Sequence, residues 1–451
     1  MELAKGFFWE QHAGAERACL DILADCRRNN LTLARFEQQL IRKTSSRLLD
    51  WVDHLLIRDS YHTRDKLAGL GFIKQPDIRH EALFHPGALL PRIVLSGNSG
   101  PDSGVALRVE SIADFLQSNG FLADIEGSPF SPYRSAFVGT ENKTAFWAVE
   151  RRGSSGYEPV DLQDAYLRSY LDGLEAWQNR LREGEDEDRI FLEIFRIADH
   201  LIEQLGTDLA SHVVCRAERT YWLSRNYAGR AQQGRHETLG LGWGNHDHHT
   251  FRSSRRNFSR LVYLFSRLGF LNRERFYAGA EAGWGAQVME NPAAGLTLFL
   301  DVDLSPEEVE TDFPGTELKE REQLGTVGLW CALHGDSILH AGMHHLAARF
   351  EFESLIADIA KLNVLYMPPF SDFSYLKQAF SVAEKWAVDP GRVEKLVHEK
   401  TITAEQGEQF LSQGAVGSHL ENIERREGYK GFNRKNVSAI IRETDPRRHL
   451  A

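Results

Sequence analysis

Cysteine is scarce in this chain of 451 residues. The four present, Cys19, Cys26, Cys215 and Cys331, form no Cys-x-x-Cys pair, and Cys19 and Cys26 fall at helical spacing. That leaves no framework for structural disulfides and no thiolate zinc site, so a reducing, cytoplasmic setting is expected. Long apolar runs are missing too. None approaches the roughly 18 residues of a membrane span, and the N-terminus MELAKGFFWEQHAGAER carries charges where a signal peptide needs an apolar stretch. Nor is there a basic excess. A net charge of −11 and a pI near 5.9 suit a phosphate backbone poorly and argue against nucleic acid as a main partner. The local run Arg252, Arg255, Arg256 and Arg260 reads as a solvated helix face.

What is present is an ordinary globular composition, 42% hydrophobic and 26% charged, enough to bury a substantial core. Residues 1–85 read as helical, with Leu31, Leu33, Phe36, Leu40, Ile41, Leu48 and Leu49 at helix-like spacing. Residues 86–158 change to a strand–helix–strands order, running from PRIVLSG and VALRV through the amphipathic SIADFLQSNGF to ADIEG, YRSAFVG and TAFWAVERR. Residues 159–240 return to helix. Residues 241–390 repeat the strand–helix–strands order twice, opening on NHDHHTFR and on MHHLAARF, and residues 391–451 read as a polar helical tail. The predicted fold class is therefore α+β, built on three copies of a unit of about 60 residues.

The copies align on one feature. His248 precedes Arg252 by four positions, and His345 precedes Arg349 by four; in the first copy Arg108 holds the same place, but Gly104 stands where the histidine would be. Strand periodicity puts His246 and His248 on one face and His249 on the other, and sends His344 and His345 to opposite faces. One histidine from each cluster can then reach a shared interior. A single strand histidine is more often a hydrogen-bonded structural residue, but two pairs opening the same repeated unit weigh toward ligands. Two imidazoles and one carboxylate, with positions left open, suit non-haem Fe(II) and oxygen chemistry. Glu384, an acid inside the apolar-periodic LKQAFSVAEKW, and Glu290 in VMENP are the rival carboxylates.

At these residues the chain resembles the vicinal oxygen chelate superfamily, and within it the 2-oxoadipate dioxygenase/decarboxylase family. That family's first motif reads roughly HGAIR; here HHTFR supplies His248 and Arg252. Its second reads NHLTPR before a helix; here HHLAAR supplies His345 and Arg349, with His344 in place of the Asn and Ala347-Ala348 in place of Thr-Pro. Its third is a GPP segment followed by LLRQTSF and a downstream Glu, matched by Pro368, Pro369, Leu376, Gln378, Phe380 and Glu384. The likeness covers residues 244–390.

The resemblance implies repeated βαβββ modules forming a curved sheet around a metal site, with additional helical segments and a first module, 86–158, that lacks the metal histidine. It implies Fe(II) held by His248, His345 and Glu384, and an oxidative decarboxylation of a small 2-oxo acid with O2. Arg252 would pair with the substrate carboxylate, Arg349 is a second candidate, and Gln378 and Tyr375 would hydrogen-bond the substrate. A Zn, Mn or Ni isomerase or lyase with Glu290 or His246 in the metal shell, and a non-catalytic ligand-binding protein, are the alternatives. Neither nucleic acid nor a membrane is an expected partner, and self-association into a homo-oligomer is left open.

Overall fold

The computed structural model describes residues 8–75, 81–184, 186–280, 282–433 and 444–449. Two helices come first, α1 (Ala13–Asn29) and α2 (Leu31–Thr44). In α2 the buried Leu33, Phe36 and Leu40 form one stripe, and the Asn30 side chain caps the first turn by accepting from Leu33 N. A first unit follows: β1 (Val52–Arg58), α3 (Tyr61–Gly69), β2 (Ile73–Lys74), β3 (Ala82–Phe84) and β4 (Arg92–Ser96). The second is β5 (Ser103–Arg108), α4 (Ile112–Asn119), β6 (Ile125–Glu126), β7 (Tyr133–Glu141) and β8 (Thr144–Arg151). Four helices, α5 (Asp164–Gln178), α6 (Glu187–Leu205), α7 (Thr207–Arg225) and α8 (Tyr227–Glu237), lead to the second half.

The third unit is β9 (His246–Arg252), α9 (Phe258–Arg267), β10 (Leu271–Tyr277), β11 (Trp284–Asn291) and β12 (Leu296–Asp303). After α10 (Thr326–His334) comes the fourth: β13 (His345–Ala348), α11 (Phe352–Ile359), β14 (Ser371–Phe373) and β15 (Leu376–Phe380). Its last strand is delayed by an insertion of β16 (Lys385–Trp386), α12 (Pro390–His398), α13 (Ala404–Gln413) and β17 (Ala415–Val416), and arrives as β18 (His419–Arg425).

The four units make two eight-stranded mixed sheets of the same design. Their orders are β2-β3-β4-β1-β5-β8-β7-β6 and β10-β11-β12-β9-β13-β18-β15-β14. In each, the first strands of two units pair antiparallel at the centre and each unit closes with its last strand parallel to its first. Even the register agrees. His54 faces Ala106 and Leu56 faces Gly104, while His248 faces Ala347 and Thr250 faces His345. Both central pairs carry a bulge at the same point, which leaves Asp53 and Asp247 as the extra residues. Helices α1, α2 and α4 cover one face of the first sheet. The second sheet buries Phe251, Leu298, Leu346 and Leu420 under α5, α6, α7 and α9.

Two expectations about secondary structure change. Residues 1–85 are helical only in part, because β1, β2 and β3 lie within them. The run VDHLLIR sits at the centre of a sheet, and a short, two-sided apolar run has no period that separates strand from helix. Strands β2 and β3, of two and three residues, are too short to show alternation. The chain thus has four units where three were predicted. The tail 391–451 contains β18, whose sequence HLENIER carries polar residues at buried positions and hides its strand character.

Candidate metal centre

β9, β13 and β18 lie side by side in the second sheet and bring His248, His345 and Glu421 together, all buried. Glu421 Oε2 lies 3.2 Å from His248 Nε2 and 3.0 Å from His345 Nε2. One ligand atom from each residue falls within 4.8 Å of the others. Ligands at right angles around an ion, each about 2.1 Å from it, would be separated by about 3.0 Å, and the two Glu421–histidine distances match that spacing for a divalent first-row ion. The bulge at Asp247 is what aims His248. Strand alternation placed His246 on the same face as His248, but the extra residue reverses it, and His246 lies beside His249 with ring centroids 5.6 Å apart.

Outer partners hold these ligands. His248 Nδ1 meets Asp247 Oδ1 at 3.0 Å, and Arg425 clamps that carboxylate through Nε at 2.8 Å and Nη2 at 3.0 Å. A carboxylate on Nδ1 fixes the tautomer that leaves Nε2 free to ligate. Gln378 donates to Glu421 Oε1 at 2.8 Å, and His344 Nδ1 lies 2.9 Å from His345 Nδ1, on the other side of the ring from Nε2. Burial pushes the Glu421 carboxyl up, but the charge of His248 and hydrogen bonds from both histidines bring it down to about 2. Burial pulls His248 down, and Glu421 and Asp247 reverse this and lift it to about 9. The cluster is therefore an ion-paired acid and imidazole in a buried space, a charge arrangement that a cation can replace.

A cavity of about 70 Å³ opens on the triad. Phe276, Phe299, Phe380 and Phe432 supply apolar walls, and Arg252 and Asp301 supply charge. Arg252 is buried, and its Nε and Nη1 have no hydrogen-bond partner among the described residues. Its guanidinium lies 5.5 Å from the centre of the Trp330 ring. Asp301 Oδ1 and His344 Nε2 are likewise buried without partners. Burial raises the Asp301 carboxyl to about 7 against the opposing charges of Arg252 and His248. Unsatisfied buried donors and acceptors are costly, and several around one cavity mark a space built to receive a polar ligand.

Of the residues singled out from the sequence, His248, His345, Arg252 and Gln378 meet at this cavity. Glu384 does not. Its carboxylate accepts from Tyr227 N at 2.8 Å, at the start of α8, and Glu421 stands in the place assigned to it. Glu421 lies on the last strand of the fourth unit, which the insertion between β15 and β18 displaces beyond Glu384. Arg349 lies toward another cavity, 3.6 Å from Asp247 Oδ2 and donating to His246 O at 3.3 Å. Tyr375 stacks on Phe373 at 5.4 Å and packs against Tyr429. Glu290 pairs with Arg273 and Lys430 at 3.5 and 3.4 Å.

A sequence signal for Glu421 existed. The segments AVERR and NIERR end β8 and β18, and DHxxxR opens both β1 and β9. In the first sheet Asp53 and His54 repeat the 3.0 Å contact, and Arg151 clamps Asp53 at 2.6 and 2.7 Å. Register places Gly104 and Trp147 where the second sheet has His345 and Glu421. A Cβ on Gly104 would lie 2.6 Å from the Trp147 ring, so indole fills the space that the metal ligands hold in the other half.

No protein-family model and no curated protein matches the chain. Among solved structures, a variant of 4-hydroxymandelate synthase from Streptomyces coelicolor aligns at 11% identity over 88% of this chain and 99% of its own, with a TM-score of 0.28. YdcJ, an uncharacterized protein from Shigella flexneri, aligns at 11% identity over 64% and 84%, with a TM-score of 0.25. Methylmalonyl-CoA epimerase from Mycobacterium tuberculosis aligns at 10% identity over 40% and 87%, with a TM-score of 0.23. The epimerase and the synthase are vicinal oxygen chelate proteins. Scores this low carry no argument for this chain, whose α+β fold of repeated βαβββ units rests on its own strand order.

Proposed function

We propose that the chain is a non-haem Fe(II)-dependent dioxygenase of the vicinal oxygen chelate type that decarboxylates a small 2-oxo acid. The observation that supports this reading most is the buried His248–His345–Glu421 face, open to a cavity in which Arg252 keeps two nitrogens without a partner. His248, His345 and Glu421 would hold the ion, which when bound supplies Lewis acidity and a template for a chelating 2-oxo acid and O2.

The protein's own groups do the rest. Arg252 offers a planar fork to a substrate carboxylate, and Trp330 supports the guanidinium from one side. Gln378 orients Glu421 from Oε1, leaving Oε2 toward the histidines. Asp247 and Arg425 hold the His248 ring in place. The phenylalanine walls make one side of the cavity apolar, and the small volume favours a short substrate. Metal analysis of the purified protein tests the site: His248→Ala and Glu421→Ala should lose iron, and Glu384→Ala should keep it. Undiminished iron in the first two, or loss only in the third, would overturn the assignment. Oxygen uptake with a panel of 2-oxo acids then tests the reaction.

A second reading, a metal-dependent isomerase or lyase using Zn, Mn or Ni, draws on Asp301, a buried acid in the same cavity with one oxygen unpartnered. Anaerobic exchange of substrate protons with deuterated solvent would favour it, and strict dependence of turnover on O2 would remove it.

A further inference from the structure

A larger cavity, of about 260 Å³, lies away from the metal centre where the two halves meet. The ends of β5 and β8, helix α7 and the loop leading into β9 enclose it. The loop approaches so closely that a Cβ on Gly244 would sit 2.2 Å from Arg108 O. Five arginines line the space, Arg108, Arg151, Arg152, Arg216 and Arg219, with His212 and His246.

The acids nearby do not balance them. Asp53 is taken by Arg151, Glu150 is shared between Arg134 at 3.0 Å and Arg152 at 2.6 Å, and Glu110 pairs with Arg219. Arg216 has only the hydroxyl of Tyr170, at 3.0 Å. Asp114 and Glu237 also line the cavity, so five arginines face four lining acids, Glu110, Asp114, Glu150 and Glu237.

Arg108 is the telling residue. Its guanidinium has no hydrogen bond and no ion-pair partner among the described residues, yet it is walled in by both halves. Its counterpart by register, Arg349, is tied to Asp247 and to His246 O. Burial pulls Arg108 down to about 10, with neighbouring arginines outweighing the attraction of Asp53, and burial beside Arg108 does the same to Arg219, which still leaves both charged at neutral pH. An enclosed surplus of guanidinium charge is costly unless an anion joins it.

We infer that this cavity binds a small organic oxyanion, a phosphate ester or a polycarboxylate, with Arg108 as its principal contact and Arg216 and Arg219 beside it. Planar guanidinium forks suit both oxyanions, and the volume admits a metabolite and excludes a polymer. His246 lines the site two residues before His248, so the anion would sit across β9 from the metal centre.

Titration calorimetry on the full chain with inorganic phosphate and, separately, with citrate tests this. Saturable binding by at least one probe is expected, weakening at high salt. Arg108→Gln, which removes no hydrogen bond or ion pair among the described residues, should weaken it about tenfold or more, the loss of one charge-assisted hydrogen bond. Arg216→Gln should weaken it less. Tighter phosphate than citrate assigns a phosphoryl ligand, and the reverse a polycarboxylate. Citrate chelated at the metal centre would be insensitive to Arg108→Gln. Absence of saturation by both probes, or equal binding by wild type and Arg108→Gln, overturns the proposal.

Discussion

The two sheets have the same strand order, the same register, the same bulge and the same buried Asp–Arg clamp, but different chemistry. In the first sheet the clamp holds His54 against Asp53 and leads nowhere, because Gly104 and Trp147 replace the other two ligand positions. In the second the same clamp steadies His248 beside His345 and Glu421. The arginine four positions on shows the same division. Arg58 is spent on Asp102 and on the carbonyls of Asn98 and Gly100 at 2.8 and 2.9 Å, whereas Arg252 is buried with free nitrogens. A scaffold feature common to both sheets is architectural; a feature confined to one is where function should be sought.

The strongest way to break the comparison is at Glu421. Glu421→Gln keeps the shape and removes the charge, and metal affinity should fall by more than about 100-fold, the upper end of what losing an outer-shell partner costs. Equilibrium dialysis with Fe(II) reads the change. The paired substitutions Asp53→Asn and Asp247→Asn should each cost about 3–5 kcal/mol of stability in urea unfolding, because each leaves a buried arginine unpaired. Only Asp247→Asn should also weaken metal binding, by about 10–100-fold. An equal effect of Asp53→Asn on metal would mean that the first sheet is not inert.

A smaller effect is expected at Gly104. Gly104→Ala meets the Trp147 ring at 2.6 Å and Ala145 O at 2.9 Å, and overpacking of this kind costs about 1–3 kcal/mol. In a Trp147→Leu background the cost should shrink, leaving only the backbone contact. The least effect is in pH dependence. Burial pushes the Asp53 carboxyl up, but Arg151 more than reverses this and holds it well below the ordinary range. A depressed carboxyl stabilises the fold above its unfolded pKa and loses that contribution as pH falls toward its folded value. The stability gap between wild type and Asp53→Asn should therefore narrow between about pH 4 and about pH 2. A gap that widens on acidification would contradict the clamp.

Two of the three clustered residues could be picked out from spacing because HxxxR recurs at His248 and His345, and repeated local patterns survive without knowledge of the fold. Glu421 shares no such spacing, and its signal lies instead in the match of NIERR to AVERR at the ends of β18 and β8. The insertion of α12 and α13 breaks the expected distance, and β18 places polar residues on buried positions, so it lacks an apolar alternation. The first unit was lost for the opposite reason: β1 is apolar on both faces and continues the helical spacing of α2. His246 was given the wrong face because periodicity cannot register an inserted bulge residue.

By itself the sequence determined the kind of chain this is: globular, without a disulfide framework, built from repeated strand–helix–strands units, with two histidines at matching positions. Those properties depend on composition and on contacts between near neighbours, which a linear pattern records. Only the tertiary structure decided that the units number four, that they pair into two like sheets, and that Glu421 rather than Glu384 joins the histidines. It also placed two arginines at cavities: Arg252, whose Nε and Nη1 have no hydrogen bond among the described residues, at one and Arg108 at the other. These depend on strand order and register across hundreds of residues, where one inserted helix or one bulge moves a side chain to a different neighbour.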